Sequence, residues 1–314
     1  MTDTAIFLMG PTASGKTALA IALFQHLPIE LISVDATQVY QDLTIGSGKP
    51  DRETLAAAPH HLIDILPPDQ AYSAAQFVSD AQNLIREINQ KGKIPLLVGG
   101  SMLYFHALET GLHALPDADL DIRAALEQEA QTLGWDHLYQ TLEAVDPLTA
   151  ARFKPNDKQR IQRALEIYRI SGKPLSYWLE TERQRPNYAL LKFALIPKET
   201  PRSVLHEQIN QRFDQMISAG LVEEVVYLKQ KYALSESCPS MRAAGYRQVW
   251  HYLEQRISCE EMIEKAKSAT RQLAKRQLTW LRSWPDLLSL DFKSDGLEET
   301  VVCEIERRIH QTRQ

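Results

Sequence analysis

Five short apolar runs punctuate the chain, at residues 5–9, 30–34, 94–98, 191–196 and 287–290, and most are closed by a glycine, proline or acid. Runs of this length bounded by breakers read as buried strands. Residues 18–27 are apolar without a breaker, and 73–90 carry helical periodicity, so the opening third predicts strand, glycine loop, helix, strand, helix, strand. Strands alternating with helices predict an α/β protein with a parallel sheet flanked by helices on both faces. The pattern then changes. Between residues 117 and 189 there are long helical stretches, at 120–133, 137–145 and 157–171, and no convincing strand. This predicts a helical insertion at 117–189 within a core formed by 1–116 and 190–314.

Composition adds exclusions. The 314 residues are 44% hydrophobic and 24% charged, with 13 Gly and 16 Pro, which rules out fibrous and low-complexity chains. No apolar run approaches the ~20 residues that cross a bilayer, and the first residues carry Asp3 where a signal peptide is basic. A cytoplasmic protein without a membrane partner is expected. Cys238, Cys259 and Cys303 are odd in number and far apart, so they read as reduced and structural.

The formal net charge is −5, which argues against indiscriminate coating of nucleic acid. Local counts say more. Between 152 and 173, Arg152, Lys154, Lys158, Arg160, Arg163, Arg169 and Lys173 face only Asp157 and Glu166. Between 265 and 282, Lys265, Lys267, Arg271, Lys275, Arg276 and Arg282 face no acid. Two basic segments in an acidic chain predict localised contacts with a polyanion.

The first strand runs into Gly10, Pro11, Thr12, Ala13, Ser14, Gly15, Lys16 and Thr17, a complete P-loop pattern between a strand and a helix. Such a loop turns backbone N–H groups toward phosphate oxygens. Lys16 adds an ammonium there, and the Thr17 hydroxyl can ligate Mg²⁺. A second glycine-rich stretch, Ile-Gly-Ser-Gly-Lys at 45–49, is a decoy: Leu43 replaces the first glycine and Pro50 the closing Ser or Thr. Ordinary P-loop enzymes also carry an acid at the end of a buried strand. The third strand instead ends in Val98, Gly99, Gly100 and Ser101, whereas Asp35 closes the second. The phosphate loop alone leaves open an ATP-binding kinase of a nucleoside or small metabolite, and the basic segments leave open a non-catalytic RNA-binding module.

Taken together, the motifs resemble the bacterial tRNA dimethylallyltransferases (tRNA isopentenyltransferases) nearly end to end. The resemblance rests on the phosphate loop, on Ile-Ser-Val-Asp-Ala-Thr-Gln-Val-Tyr at 32–40 and on 45–50. It extends through Pro-His-His-Leu-Ile-Asp at 59–64, Tyr72-Ser73, 97–104, 156–166, Gly-Tyr-Arg at 245–247 and 270–277. It implies a P-loop NTPase-like sheet carrying a helical domain, and transfer of a dimethylallyl group from dimethylallyl diphosphate to N6 of adenosine-37 in the tRNA anticodon stem-loop. The P-loop, with Lys16, Thr17 and Mg²⁺, would then serve an allylic diphosphate rather than ATP. The adenine amine turns acidic as its new C–N bond forms, so a carboxylate can take the proton, and Asp35 is the candidate base.

The resemblance further implies that Ser101 hydrogen-bonds around the adenine and that Asp35, Ala36, Thr37 and Gln38 contact tRNA. The family usually has Thr at 101 and Ser at 36; Ser101 keeps the hydroxyl, whereas Ala36 loses one. Arg212 resembles an arginine that holds diphosphate. Arg123, the run Gln159, Arg160, Ile161, Gln162 and Arg163, and the run Arg242, Ala243, Ala244, Gly245, Tyr246 and Arg247 are implied on the tRNA. A monomer is expected.

Overall fold

The computed structural model describes residues 3–183 and 187–312. The chain forms two compact units, Met1–Leu108 with Asn187–Gln314, and Glu109–Pro186. In the first unit the strands are β1 (Thr4–Met9), β2 (Ile29–Val34), β3 (His60–His61), β4 (Ile94–Gly99), β5 (Ala189–Ile196) and β6 (Leu288–Asp291). They make one six-stranded sheet in the order β3-β2-β4-β1-β5-β6, with every pairing parallel. The helices preceding the second unit are α1 (Lys16–His26), α2 (Arg52–Ala57), α3 (Ala74–Gln90) and α4 (Met102–Thr110).

Residues Ala5 to Met9 of β1 are all fully buried, because β1 lies between β4 and β5 and both sheet faces are covered. That is why this strand reads as an unbroken apolar run rather than as an alternation. On one face, Ile6, Leu8, Leu96, Val98 and Phe193 pack with Leu19 and Leu23 of α1. On the other, the Phe7 and Phe105 rings meet at 4.9 Å. α3 is fixed at its start by a capping box in which Ser73 and Gln76 satisfy each other's amides.

Register brings the loops of interest together. Met9 pairs with Gly99 and Gly99 pairs with Val34, so β1, β4 and β2 end in line and deliver Gly10, Gly100–Ser101 and Asp35 to one edge. Ligands of open α/β sheets bind at this carboxyl edge. The approach of β2 and β4 is so close that a Cβ on Gly99 would lie 2.0 Å from the Val34 carbonyl oxygen. Only glycine fits there.

The second unit contains α5 (Leu120–Leu133), α6 (Trp135–Val145), α7 (Pro147–Ala150), α8 (Lys158–Ser171) and α9 (Leu175–Leu179). Its own core is Leu126, Leu138, Leu142, Ile161 and Leu165. The first unit resumes with α10 (Arg202–Ser218), α11 (Leu221–Lys231), a 3₁₀ turn (Pro239–Arg242), α12 (Tyr246–Leu253), α13 (Cys259–Arg282) and α14 (Leu297–Thr312). Here Phe213, Leu221, Val225, Tyr246 and Val249 form a second cluster beneath Val39, Tyr40 and Leu43. Among the described residues no helix is long and apolar enough to cross a membrane.

Candidate active site

A cavity of about 660 Å³ opens at the carboxyl edge of the sheet in the first unit. Its floor is the phosphate loop. The loop is held shut from α13, since Gln277 Oε1 accepts from the Thr12 amide at 3.0 Å and Gln277 Nε2 donates to the Gly100 carbonyl at 2.8 Å. One side chain thus staples the loop after β1 to the end of β4. The Gly15, Lys16 and Thr17 amides at the start of α1 have no hydrogen-bond partner among the described residues, which leaves them for an anion at the positive end of the helix.

Two cations reach this loop. Lys16 Nζ donates to the Pro11 carbonyl at 2.7 Å. Arg212, from α10, donates to Thr12 Oγ1 at 3.4 Å and to the Gly48 carbonyl at 3.4 Å, both long and weak. Neither side chain has an ion-pair partner among the described residues. Burial, together with the Arg212 charge and against a smaller opposing effect of Asp35, pushes the Lys16 pKa down to about 7. Burial likewise lowers that of Arg212, with Asp35 opposing. Burial thus disfavours the charged form of both groups, and a bound polyanion would favour it, holding Lys16 as the ammonium.

Asp35 stands at the end of β2. Its Oδ1 accepts from the Thr37 amide at 2.8 Å, the Thr37 hydroxyl at 2.6 Å and the Gln38 amide at 3.3 Å. Oδ2 has no hydrogen-bond partner among the described residues. One oxygen anchors the carboxylate and the other remains available. Ser101 Oγ accepts from the Ala36 amide at 3.0 Å, so residue 36 joins the site through its backbone and its missing hydroxyl does not alter this contact. Gln38 accepts from Ser33 Oγ at 3.0 Å and donates to the Gly48 carbonyl at 3.3 Å.

The cavity wall contains Thr12, Ala13, Lys16, Thr17, Asp35, Ala36, Thr37, Gln38, Ser101, Arg212, Arg242, Ala243, Ala244 and Arg247. Gly10, Pro11, Ser14 and Gly15 shape the loop beside it. Arg242 and Arg247 are exposed, as is Arg276 of α13, which sequence reasoning did not place at the site. Gly245 and Tyr246 do not reach the cavity: both are buried, and the Tyr246 hydroxyl donates to Glu224 at 2.6 Å. Two further residues were missed. Gln277 gave no chemical signal beyond its place in the 270–277 motif. His60 lines the cavity and bonds the Ala58 carbonyl through Nδ1 at 2.7 Å. A carbonyl only accepts, so Nδ1 carries the proton and Nε2, buried and unpartnered among the described residues, is an acceptor.

In the second unit, Arg123 and Arg163 both serve Glu166. Its carboxylate accepts from Arg123 at 2.8 and 3.2 Å, Arg163 at 2.7 Å and the Asp119 amide at 2.8 Å. Burial would raise this carboxyl, but the two guanidiniums and the amide outweigh it and hold the pKa below the ordinary range. Gln162 donates to the Arg123 carbonyl. Ile161 is a core residue and presents no surface. Gln159 and Arg160 are exposed, Arg160 pairing with Asp157 at 3.1 Å.

Among the described residues no three His, Cys, Asp or Glu side chains converge on a metal position. Of the groups that line the cavity, the Thr17 hydroxyl, in the phosphate loop, and the Asp35 carboxylate are the oxygens suited to a cation beside a bound phosphate. This set fits Mg²⁺, which keeps several waters and is usually bound through substrate phosphates plus one or two protein oxygens. It does not fit a protein-caged metal.

A family model described as IPP transferase matches residues 38–284. The tRNA dimethylallyltransferase of Thiobacillus denitrificans is 53% identical over 295 residues, covering 94% of this chain and 93% of that protein. The chain belongs to the tRNA dimethylallyltransferase family. A family member from Legionella pneumophila is 50% identical over 305 residues, 97% of each chain. Among solved structures, the full-length tRNA isopentenylpyrophosphate transferase of Bacillus halodurans superposes with a TM-score of 0.71 at 34% identity, covering 99% of this chain and 100% of that one. A eukaryotic dimethylallyltransferase, described as acting on tRNA, gives a TM-score of 0.81 at 26% identity over 99% of this chain and 80% of its own. The architecture of this dimethylallyltransferase-family chain is the P-loop NTPase-like sheet with flanking helices.

Proposed function

We propose that the protein transfers a dimethylallyl group from dimethylallyl diphosphate to the exocyclic N6 of adenosine-37 in the anticodon loop of tRNA, releasing diphosphate. The observation that carries this reading is a phosphate loop reached by two basic side chains, Lys16 and Arg212, neither of them ion-paired among the described residues, beside a carboxylate, Asp35, that has one oxygen anchored and one available. A kinase reading lacks its acid, because β4 ends in Gly99 and the next residues are Gly100 and Ser101.

The chain's residues divide the work. The amides of 15–17, Lys16 and Arg212 bind the diphosphate and stabilise the charge that accumulates on it as the allylic C1–O bond breaks. The electron pair of that bond leaves with diphosphate. The N6 lone pair forms the bond to C1, and the N6 proton passes to Asp35. Ser101 and the backbone of Ala36 orient the base. Thr17 would hold Mg²⁺, which when bound supplies further positive charge to the diphosphate oxygens. Arg242, Arg247 and Arg276, exposed at the cavity, would meet RNA phosphates, as would basic side chains of the second unit. A loop nucleotide is cheaper to unstack than a paired one, which suits a recessed site. With tRNA as substrate, a cytoplasmic location follows.

The test is to incubate the protein with tRNA, dimethylallyl diphosphate and Mg²⁺ and to measure nucleoside masses. A dimethylallyl adduct on adenosine-37, with no ADP formed from added ATP, is the expected result. ADP release without an adduct would replace this reading by the kinase.

A further inference from the structure

The second glycine-rich stretch, at 45–49, is not a phosphate loop, yet its backbone does cradle an anion. Glu224 of α11 accepts from the amides of Thr44 at 3.0 Å and Ile45 at 2.7 Å through Oε2, and of Gly46 at 3.2 Å through Oε1. Consecutive amides converging on one anion form a nest; here the anion comes from the protein itself. The buried Tyr246 hydroxyl completes it, donating to Glu224 Oε1 at 2.6 Å and accepting from the Ser47 amide at 3.1 Å. Four successive amides, 44 to 47, are thus fixed by one carboxylate and one phenol. Burial and the neighbouring Glu224 charge push the Tyr246 pKa well up, so the phenol stays a donor.

Gly46, Ser47 and Gly48 all line the cavity, and Gly48 is the one that meets Arg212. The Gly48 carbonyl accepts from Arg212 and from Gln38. Arg212 also lies flush against Gly48: a Cβ there would fall 1.6 Å from Nη2. The Gly48 backbone is therefore both a hydrogen-bond rest and a steric wall for the guanidinium. With only long contacts of its own, Arg212 depends on that wall for its place over the phosphate loop.

We propose that Glu224 is a positioning residue for the anion site: by closing the nest at 44–46 it sets the Gly48 backbone on which Arg212 rests. The proposal rests on the reading of Arg212 as a diphosphate ligand. Glu224 lies behind the cavity wall and touches no substrate.

The test measures the Kd of inorganic diphosphate with Mg²⁺ by calorimetry, alongside steady-state kinetics with tRNA. Glu224→Gln puts an NH₂ where an amide N–H must be accepted, and should weaken diphosphate binding ~10-fold, raise KM for dimethylallyl diphosphate similarly, and leave KM for tRNA unchanged. In the Arg212→Ala background the same change should cost little more, because residues that act as one unit are non-additive. Gly48→Ala, which leaves Glu224 intact and displaces the guanidinium, should reproduce the effect if the Gln variant does not fold. Arg212→Ala with unchanged diphosphate affinity would remove Arg212 from the anion site and the proposal with it. A large Arg212→Ala effect with none from Glu224→Gln or Gly48→Ala would overturn the role of Glu224 alone, as would equal losses for both substrates or full additivity.

Discussion

The Ala36 amide donates to the Ser101 hydroxyl at 3.0 Å across 65 residues of sequence, and this bond ties the loop carrying Asp35 to the end of β4. Ser101→Ala leaves the amide unpaired and frees the 35–38 segment. Turnover should fall ~10-fold with little change in diphosphate binding, and Ser101→Thr, which keeps the hydroxyl, should retain activity. Single-turnover rates for the two variants check this; equal loss in both would assign the effect to packing.

Asp35→Asn preserves shape and one acceptor but cannot take the proton. Turnover at saturating tRNA should drop by ~10² to 10⁴, the span of a general base, while tRNA affinity stays near wild type. Full recovery on raising Mg²⁺ would instead mark Asp35 as a metal ligand.

Burial and the Arg212 charge push the Lys16 pKa down to about 7, so its ammonium loses ground to the neutral amine as pH rises above neutrality. A bound diphosphate favours the ammonium, so binding at pH 8 should take up a proton at Lys16 and affinity should weaken as pH rises through 7. Calorimetry in buffers of different ionisation enthalpy measures the uptake. Lys16→Ala corrects for titration of diphosphate itself, should abolish the difference, and should slow transfer by ~10².

Glu166 carries a lowered pKa in the folded second unit, so its stabilising contribution is complete above its unfolded value near 4.5 and is lost as pH falls through the folded value. Glu166→Gln leaves two guanidiniums without their carboxylate and should destabilise by about 3 kcal/mol at pH 7. The gap from wild type should narrow as pH falls below the unfolded value near 4.5 and go on narrowing until the folded carboxyl protonates, which thermal melts across an acid pH series read directly.

The parts of this fold that are legible in sequence are those whose cause is local. β1 and β4 announce themselves because burial on both faces demands unbroken apolar runs, and the phosphate loop because a strand, glycines, Lys16 and Thr17 must follow one another directly. β3, with two residues, His60 and His61, is too short for any periodicity. The departures at Leu43 and Pro50 set the 45–49 stretch apart from the phosphate-loop pattern, but nothing nearby in sequence names the group its amides meet. Glu224 looks like any acid in the first turn of an exposed helix until folding brings it to amides 179 residues away. Tyr246 and Ile161 are illegible in the opposite sense: motif membership suggests contact with RNA, whereas helical position buries both side chains in the core. Arg163 is legible as a charge but not as the clamp on Glu166.

Gln277 closes a loop that the ribosome made long before. Its bond to the Thr12 amide spans 265 residues, and at ~5 to 20 residues per second the interval between the two is on the order of 10 to 50 s. Through that time the nascent chain carries a phosphate loop without its staple, and for the earlier part of it β1 also lacks β5, its neighbour on one side, which begins only at Ala189. The staple therefore waits for α13, and a chain that stops before it lacks the two Gln277 bonds that join the phosphate loop to the end of β4.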